Sequence, residues 1–430
     1  MKQHLFRLSC LLLAPLTGFG QGALNPPSGP APTMRTLDQV EPRRPINATH
    51  TPGDANSMFR IVTPGSYYLT GNIAGQSRKS GIEIAASDVT IDLMGFSLTG
   101  VPGSMSGIRT PADISVRNVR VHNGTVARWG EHGVNLFNAN ANLDVDNTQL
   151  EHLRVANNGA AGIRCSSAVV TNCVAIANGQ GIVAVGNGAT ITNCTASGNT
   201  GDGISAFGST ISNCTANRNG GTGINATNQS SVTNCLALSN GGDGFFGASA
   251  AISASAARAN GGNGFRTTFG CTLTGCTAAS NGTGAAGVGI SASRGATIVN
   301  CAAGGNRRDG ITVGTYCAVI NSTAHENGTG AADGAGIRAE DDGNRIQGNN
   351  VTGNDIGIRA EGTGNLIEAN HVRNHAGPGI QVTTANGKNV IIRNVAGANV
   401  NSYSNIASGN QVGPLDTNFT ATSPFANLQN

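Results

Sequence analysis

One recurring stretch constrains this chain more than anything else in it. Residues 188–205 read GATITNCTASGNTGDGIS, and variants of that string return from about residue 80 to residue 395. Each unit opens on a Gly followed by an apolar residue, as at Gly81, Gly107, Gly133, Gly162, Gly181, Gly203, Gly223 and onward to Gly379. Steps between these glycines run from 19 to 29 residues. A period of this size means a solenoid, in which each coil touches only its neighbours.

The kind of solenoid follows from the spacing inside one unit. Apolar and polar residues alternate through Ile204-Ser205-Ala206, Thr210-Ile211-Ser212 and Cys214-Thr215-Ala216. Period two marks strands, and no window holds helical spacing. Gly, Asn, Asp and Thr between the short runs suit tight turns. A leucine-rich repeat needs regular Leu spacing and helix formers, and both are missing. Three short strands and three turns per unit predict an all-β, single-stranded parallel β-helix of about 13–14 rungs.

A second register runs through the cysteines. Cys173, Cys194, Cys214, Cys235, Cys276 and Cys301 each follow an Ile, Val or Leu by three residues, and Ser255 and Ser322 fill the same slot. Later the slot becomes Asn349, Asn370 and Asn394. Neighbouring strands lie roughly 4.8 Å apart, so these side chains should stack as a ladder. Buried thiols behave as small hydrophobes, and Asn ladders satisfy one another's amides. A metal-thiolate array is disfavoured, since no CxxC pair or nearby His accompanies them.

The chain has 430 residues, of which only 11% are charged, with a net charge of +3. No basic stripe argues for nucleic acid. Residues 1–22 read as an export signal: Lys2 and Arg7, an apolar run from Leu8 to Phe19, then small residues before Gln21. That run is too short to span a bilayer, and no later one is long enough. The expected locale is secreted, periplasmic or cell-surface. Cys10 would precede cleavage and leave nine cysteines, an odd number that argues against a disulfide framework. The remaining segments read as a Pro-rich spacer over 23–57, a cap over 58–80, the β-helix over 81–395 and a second cap over 396–430. Inserted loops are expected near 122–132 and 138–150.

GIRCSSAVVTNCVAIAN, GISAFGSTISNCTANRN and GIRAEGTGNLIEANHV resemble the right-handed parallel β-helix repeat of pectate-lyase-like and NosD-like proteins. APTMRTLDQVEP, PGSYYLTGNI and DVTIDLMGFSL are similar to the leader of secreted bacterial β-helix proteins without an assigned activity. The resemblance covers roughly residues 31–400. It implies a right-handed coil, but fold alone carries no activity.

Pectate-lyase-like enzymes hold Ca²⁺ with clustered carboxylates and use an Arg or Lys as base, so the resemblance makes Ca²⁺ the cofactor if this chain is an enzyme. Otherwise no cofactor or metal is expected. Asp202, Asp243 and Asp309 sit just before rung glycines and read as turn residues. The richest cluster is Arg338, Glu340, Asp341, Asp342, Arg359 and Glu361, with Arg345 beside it. Alternation places Arg338, Glu340, Arg359 and Glu361 on the outer face, either as a solvated ion-pair patch or as a groove for an acidic glycan. The second candidate is Trp129 with Arg128 and His132, a projecting loop able to stack on sugar. Scattered His and rare Met speak against copper handling. The expected function is therefore an exported, non-catalytic scaffold contacting polysaccharide or cell-surface glycans. The alternative is a polysaccharide lyase or glycoside hydrolase acting on acidic polysaccharide. Oligomeric state is not encoded in any motif.

Overall fold

Alternation does what period two requires: along each strand, successive residues turn alternately inward and outward. The structure, a computed structural model, describes residues 42–430 except 141–142, 285–286, 330–332, 405, 407, 419 and 430. The 1–22 signal and the spacer up to residue 41 lie outside the described residues. From Arg43 on, the described residues form one unit of β-strands with no helix. Ile204–Phe207, Thr210–Ser212 and Thr215–Asn217 make one representative rung. Ile204, Ala206, Ile211 and Ala216 are at most 1% exposed, whereas Ser205, Ser212 and Thr215 face out. Burying each Ile stabilises the fold by about 1.5–3 kcal/mol.

All rungs stack in parallel and in register. One 16-stranded sheet collects the strands that follow or contain the rung glycines, from Ser57–Ile61 to Asn401–Ser404; it is called the Gly-Ile sheet below. The remaining two faces merge into one 32-stranded sheet. They merge because Val119–Ala127 and Thr148–Ala156 run unbroken around the corner between them and pair along seven residues. The loop expected near 122–132 is thus largely strand.

The solenoid makes about 17 turns, more than the 13–14 that the glycine steps count. The two segments read as end caps contribute strands to the same sheets. Ser57–Ile61 pairs in parallel with Ser80–Ile84, and Asn401–Ser404 extends the Gly-Ile sheet beyond Pro378–Val382. Pro52 bridges Phe59 in antiparallel fashion at the first edge. A bare edge strand invites aggregation, and this crossing segment covers part of it.

A left-handed residue turns each corner of the regular rungs, and the residue after it is buried and commonly polar or a thiol. In the representative rungs these are Asn193 (φ 54°) before Cys194, Gly198 (φ 62°) before Asn199, and Gly208 (φ 50°) before Ser209. Gly and Asn enter that region at least cost, which explains their abundance here.

The residues after the corners form three ladders. The expected Cys ladder is present: Ser255 Oγ accepts Cys235 N–H at 3.1 Å, and Asn349 Oδ1 accepts Ser322 N–H at 2.8 Å. It continues through Asn370 and Asn394 to Asn427. Nine described cysteines are free and buried. Burial pushes the Cys165 thiol up to about 12, and its bond to Cys173 together with burial does the same to Cys194. Cys165 and Cys194 are therefore protonated at neutral pH.

The longest ladder is Asn158, Asn178, Asn199, Asn219, Asn240, Asn260, Asn281, Asn306, Asn327 and Asn354, all at most 3% exposed. Asn199 shows the pattern. Its N–H and Nδ2 both donate to Asn219 Oδ1, at 3.1 and 2.8 Å, and Nδ2 also donates to Ala175 O at 3.2 Å. The ladder also explains the rung glycines. A Cβ on Gly203 would stand 2.6 Å from Asn219 Nδ2 and 2.6 Å from Gly223 O, so the opening Gly is a packing requirement.

Core volume is balanced rung by rung. Phe245 and Phe265 replace Ile in their column and stack at 4.7 Å with planes 7° apart. Gly247 then stands where the preceding rungs carry Ala206 and Ala226.

Removing one amide breaks several bonds at once. Asn219→Ala strips the acceptor from two Asn199 donors and the donor from Ala196 O. It should destabilise the protein by about 2–4 kcal/mol, read as a lowered denaturant midpoint. Thr210→Ala on the exposed face should stay within about 0.5 kcal/mol of wild type. Equal effects would refute the ladder's role.

A second prediction concerns pH. After Asn354 the column passes to His375, 4% exposed. Asn354 N–H donates to its Nδ1 at 3.1 Å, which leaves Nε2–H to donate to Val351 O at 3.1 Å. The ring must therefore be neutral, and burial pushes its pKa down. A depressed His contributes stability that is present above its ordinary value and lost as pH falls through the lowered one. His375→Asn should lose less stability than wild type on acidification from about pH 6.5, measured by denaturant midpoints across a pH series. Parallel pH profiles would sink this assignment.

Candidate functional site: the outer face of the Gly-Ile sheet

Register brings the residue two places after each rung Gly into one outward column. Arg60, Glu83, Arg109, Asn135 and Arg164 stack at its N-terminal end. Arg266, Ser291, Thr312, Arg338 and Arg359 stack toward the C-terminal end.

Arg338 and Arg359 lie directly opposite each other. Like charges so placed repel, and Glu361 offsets this by reaching both. Arg338 Nε and Nη2 donate to Glu361 Oε2 at 3.2 and 2.8 Å. Arg359 Nε lies 2.7 Å from Glu361 Oε1 but off the hydrogen-bond line, so that contact is an ion pair only. Arg338 Nη1 also approaches Asp309 at 3.6 Å and Glu340 at 3.5 Å. Burial, set against the pull of Arg338 and reinforced by Glu361, raises the Glu340 pKa.

Four members of the expected cluster therefore do converge: Arg338, Glu340, Arg359 and Glu361. Asp341 and Asp342 do other work. Asp342 Oδ1 accepts Thr363 N–H at 2.7 Å and Thr363 Oγ1 at 3.0 Å, as a turn brace, and Asp341 Oδ2 accepts Thr315 Oγ1 at 3.4 Å. Arg345 begins a strand around the corner.

Asp309 belongs to the site although it reads locally as a turn residue. Its Oδ1 accepts Ala335 N–H at 2.7 Å while Oδ2 faces Arg338. The arrangement recurs. Asp243 Oδ1 accepts Asn263 N–H at 2.8 Å and its Oδ2 pairs with Arg266 Nε. Asp202 Oδ1 accepts Thr222 N–H at 2.8 Å, with Asn225 Nδ2 at 3.4 Å from Oδ2. The rule is diagonal: the residue before one rung Gly meets the residue two places after the next. Looking only straight along a column misses it.

The second candidate is corrected. Trp129 is 1% exposed and lies in the core. Its Nε1–H donates to Leu98 O at 3.1 Å, and its backbone N–H donates to Asn158 Oδ1 at 3.0 Å, which starts the Asn ladder. It has no open face for a sugar. Arg128 occupies a left-handed corner (φ 62°). His132 Nδ1 accepts Ala161 N–H at 3.1 Å, and burial together with Arg164 pushes its pKa down. Trp129 is a core residue whose two N–H groups are both satisfied within the coil.

Among the described residues no three His, Cys, Asp or Glu side chains are grouped to hold a metal ion. No helix among them is long and apolar enough to cross a membrane.

No curated protein sequence matches this chain. Among solved structures it is similar to the A-module of mannuronan C-5 epimerase AlgE6 from Azotobacter vinelandii, at 14% identity over 85% of this chain and 89% of that one, with a TM-score of 0.40. It is also similar to the periplasmic alginate epimerase AlgG, at 13% identity over 89% and 80% with a TM-score of 0.32. Pectate lyase Pel9A matches at 18% identity over 72% of each chain, with a TM-score of 0.28. At the level of sequence families, the model described as right handed beta helix region matches residues 61–210, 106–260, 181–288 and 261–412. Those matches span most of the chain, which therefore belongs to the right-handed β-helix family.

Proposed function

We propose that the protein is an exported β-helix scaffold that contacts extracellular or cell-surface glycans along its rungs and does not cleave them. The observation that carries this is the state of Arg338. Its guanidinium stands at the centre of the carboxylate cluster, where an acid and a base would have to meet, and Glu361, Asp309 and Glu340 already hold it. A base for proton abstraction needs a free position beside the substrate. The outer faces suit contact instead. Thr190, Thr210 and Ser231 align in one outward column, and Thr192, Ser212 and Thr233 in the next. Hydroxyls repeated at one strand spacing match the repeated hydroxyls of an extended sugar chain. Export rests on the signal-like residues 1–22.

A hydrolase or lyase reading has one observation in its favour. Glu340 carries a raised pKa beside the charged pair Arg338 and Glu361, as a general acid would. The two readings separate in one screen of purified protein against uronic-acid and neutral polysaccharides. The scaffold should retain glycan while releasing neither unsaturated products nor reducing ends, with or without Ca²⁺. Turnover that Arg338→Ala or Glu340→Gln abolishes would overturn it and establish the enzyme.

Glu340 also makes a prediction about stability. A carboxyl whose folded pKa is raised contributes stability that is present below its ordinary value and lost as pH rises through the raised one. Thermal melts of Glu340→Gln should therefore lack the part of the wild-type decline that falls just above the ordinary glutamate range. Identical profiles would show that this carboxyl does not titrate abnormally.

A further inference from the structure

Six described arginines share the outward column of the Gly-Ile sheet, and five have a carboxylate partner. Glu83 takes Arg60 at 3.0 Å and Arg109 at 2.7 Å. Asp243 takes Arg266, and the Glu361 network takes Arg338 and Arg359. Arg164 has no carboxylate within ion-pair distance among the described residues. Its guanidinium carbon lies instead 4.1 Å from the ring centroid of Phe137. A ring face fixes the plane of a guanidinium and leaves its N–H fork open at the edge.

The groups around Arg164 leave the edge of its guanidinium unengaged among the described residues. Asn135 stands opposite it on the preceding rung, and its Nδ2 donates to no group among the described residues. Glu131, on the turn before that rung, accepts Ser106 Oγ at 3.0 Å rather than engaging Arg164. His132 spends Nδ1 on Ala161 N–H. On the following rung Val183 offers a partly exposed apolar neighbour.

We propose that Arg164 and Asn135 form a binding site for a carboxylate-bearing sugar, a uronate unit within an acidic glycan. The guanidinium fork takes the carboxylate oxygens in a charge-assisted, two-pronged contact. The Asn135 amide donates from Nδ2 to a sugar oxygen, and the Val183 side chain packs against the apolar edge of the ring. The proposal rests on the glycan-contacting reading and narrows it to acidic polymers. A sulfated sugar presents a similar oxyanion, so the test separates the two.

The experiment is titration calorimetry of the purified full chain with oligogalacturonate, its carboxyl-reduced neutral counterpart and a sulfated oligosaccharide. Wild type should bind oligogalacturonate in preference to both others. Arg164→Gln should weaken that binding by about tenfold or more, Arg164→Lys should recover part of it, and Asn135→Ala should weaken neutral and acidic ligands alike. Arg164 serves no internal ion pair but stacks on Phe137, so Arg164→Gln should lower the melting temperature slightly, and a retained cooperative melt separates lost binding from misfolding. Oligogalacturonate binding unchanged in Arg164→Gln would overturn the site and leave the glycan reading standing. Arg164-dependent preference for the sulfated ligand would overturn the ligand class. Silence of wild type toward all three would overturn the glycan reading and the site together.

Discussion

In-register stacking at a single strand spacing is the constraint on which everything else here depends. Once each residue sits directly above its counterpart, a buried polar side chain needs only one solution repeated. The Asn ladder is that solution. Each amide accepts from the rung before and donates to the rung after, so no interior rung leaves an orphan. An unmet buried amide costs about 1–3 kcal/mol. Each link joins neighbouring rungs, so a rung out of register would strand its own amide and the one donating to it. The same demand dictates the glycines, because the ladder occupies the space a Cβ would need.

The fold was largely legible in the chain because its signals are local and repeated. Alternation, the Gly-apolar step and the Cys slot each recur at the coil period, and all three appear in the structure. What escaped reading is what spans two rungs or breaks the period. Asn158 and Asn178 sit in Asn-Gly strings that look like turn punctuation, and their partners lie a full coil away. The long step around Trp129 looked like an inserted loop. The extra residues are instead spent on nine-residue strands that carry the chain around a corner, and Trp129 then turns inward. The end segments were undercounted for a related reason: Ser57–Ile61 and Asn401–Ser404 pair as full strands without the Gly that marks other rungs.

The candidate site was half legible. Alternation placed Arg338, Glu340, Arg359 and Glu361 outward and together. It could not reveal Asp309, because the Asp-to-Arg contact runs diagonally from the end of one turn to the strand of the next rung. Asp243 with Arg266 and Asp202 with Asn225 repeat that diagonal, so the contact is part of the coil's geometry. A carboxylate before the rung Gly caps the next N–H and steers the side chain two places beyond it. Read as a pair, an Asp at that slot and an Arg in the following rung forecast an ion pair that is structural before it is functional.

That distinction separates scaffold from site on a surface where chemistry is otherwise uniform. Outward positions carry no packing burden, so a Thr, Ser or Asn there neither supports nor endangers the coil. A stacked Arg is different, since its charge is partly screened from water and its neighbours along the column sit one strand spacing away. The coil answers this at Arg60, Arg109, Arg266 and Arg338 by supplying an acid from an adjacent rung, and at Arg359 by Glu361 of its own rung. At Arg164 it supplies an aromatic ring instead, which orients the guanidinium without neutralising it. A fold that pairs its other column arginines and leaves one held but unpaired has set that charge aside for something outside the chain.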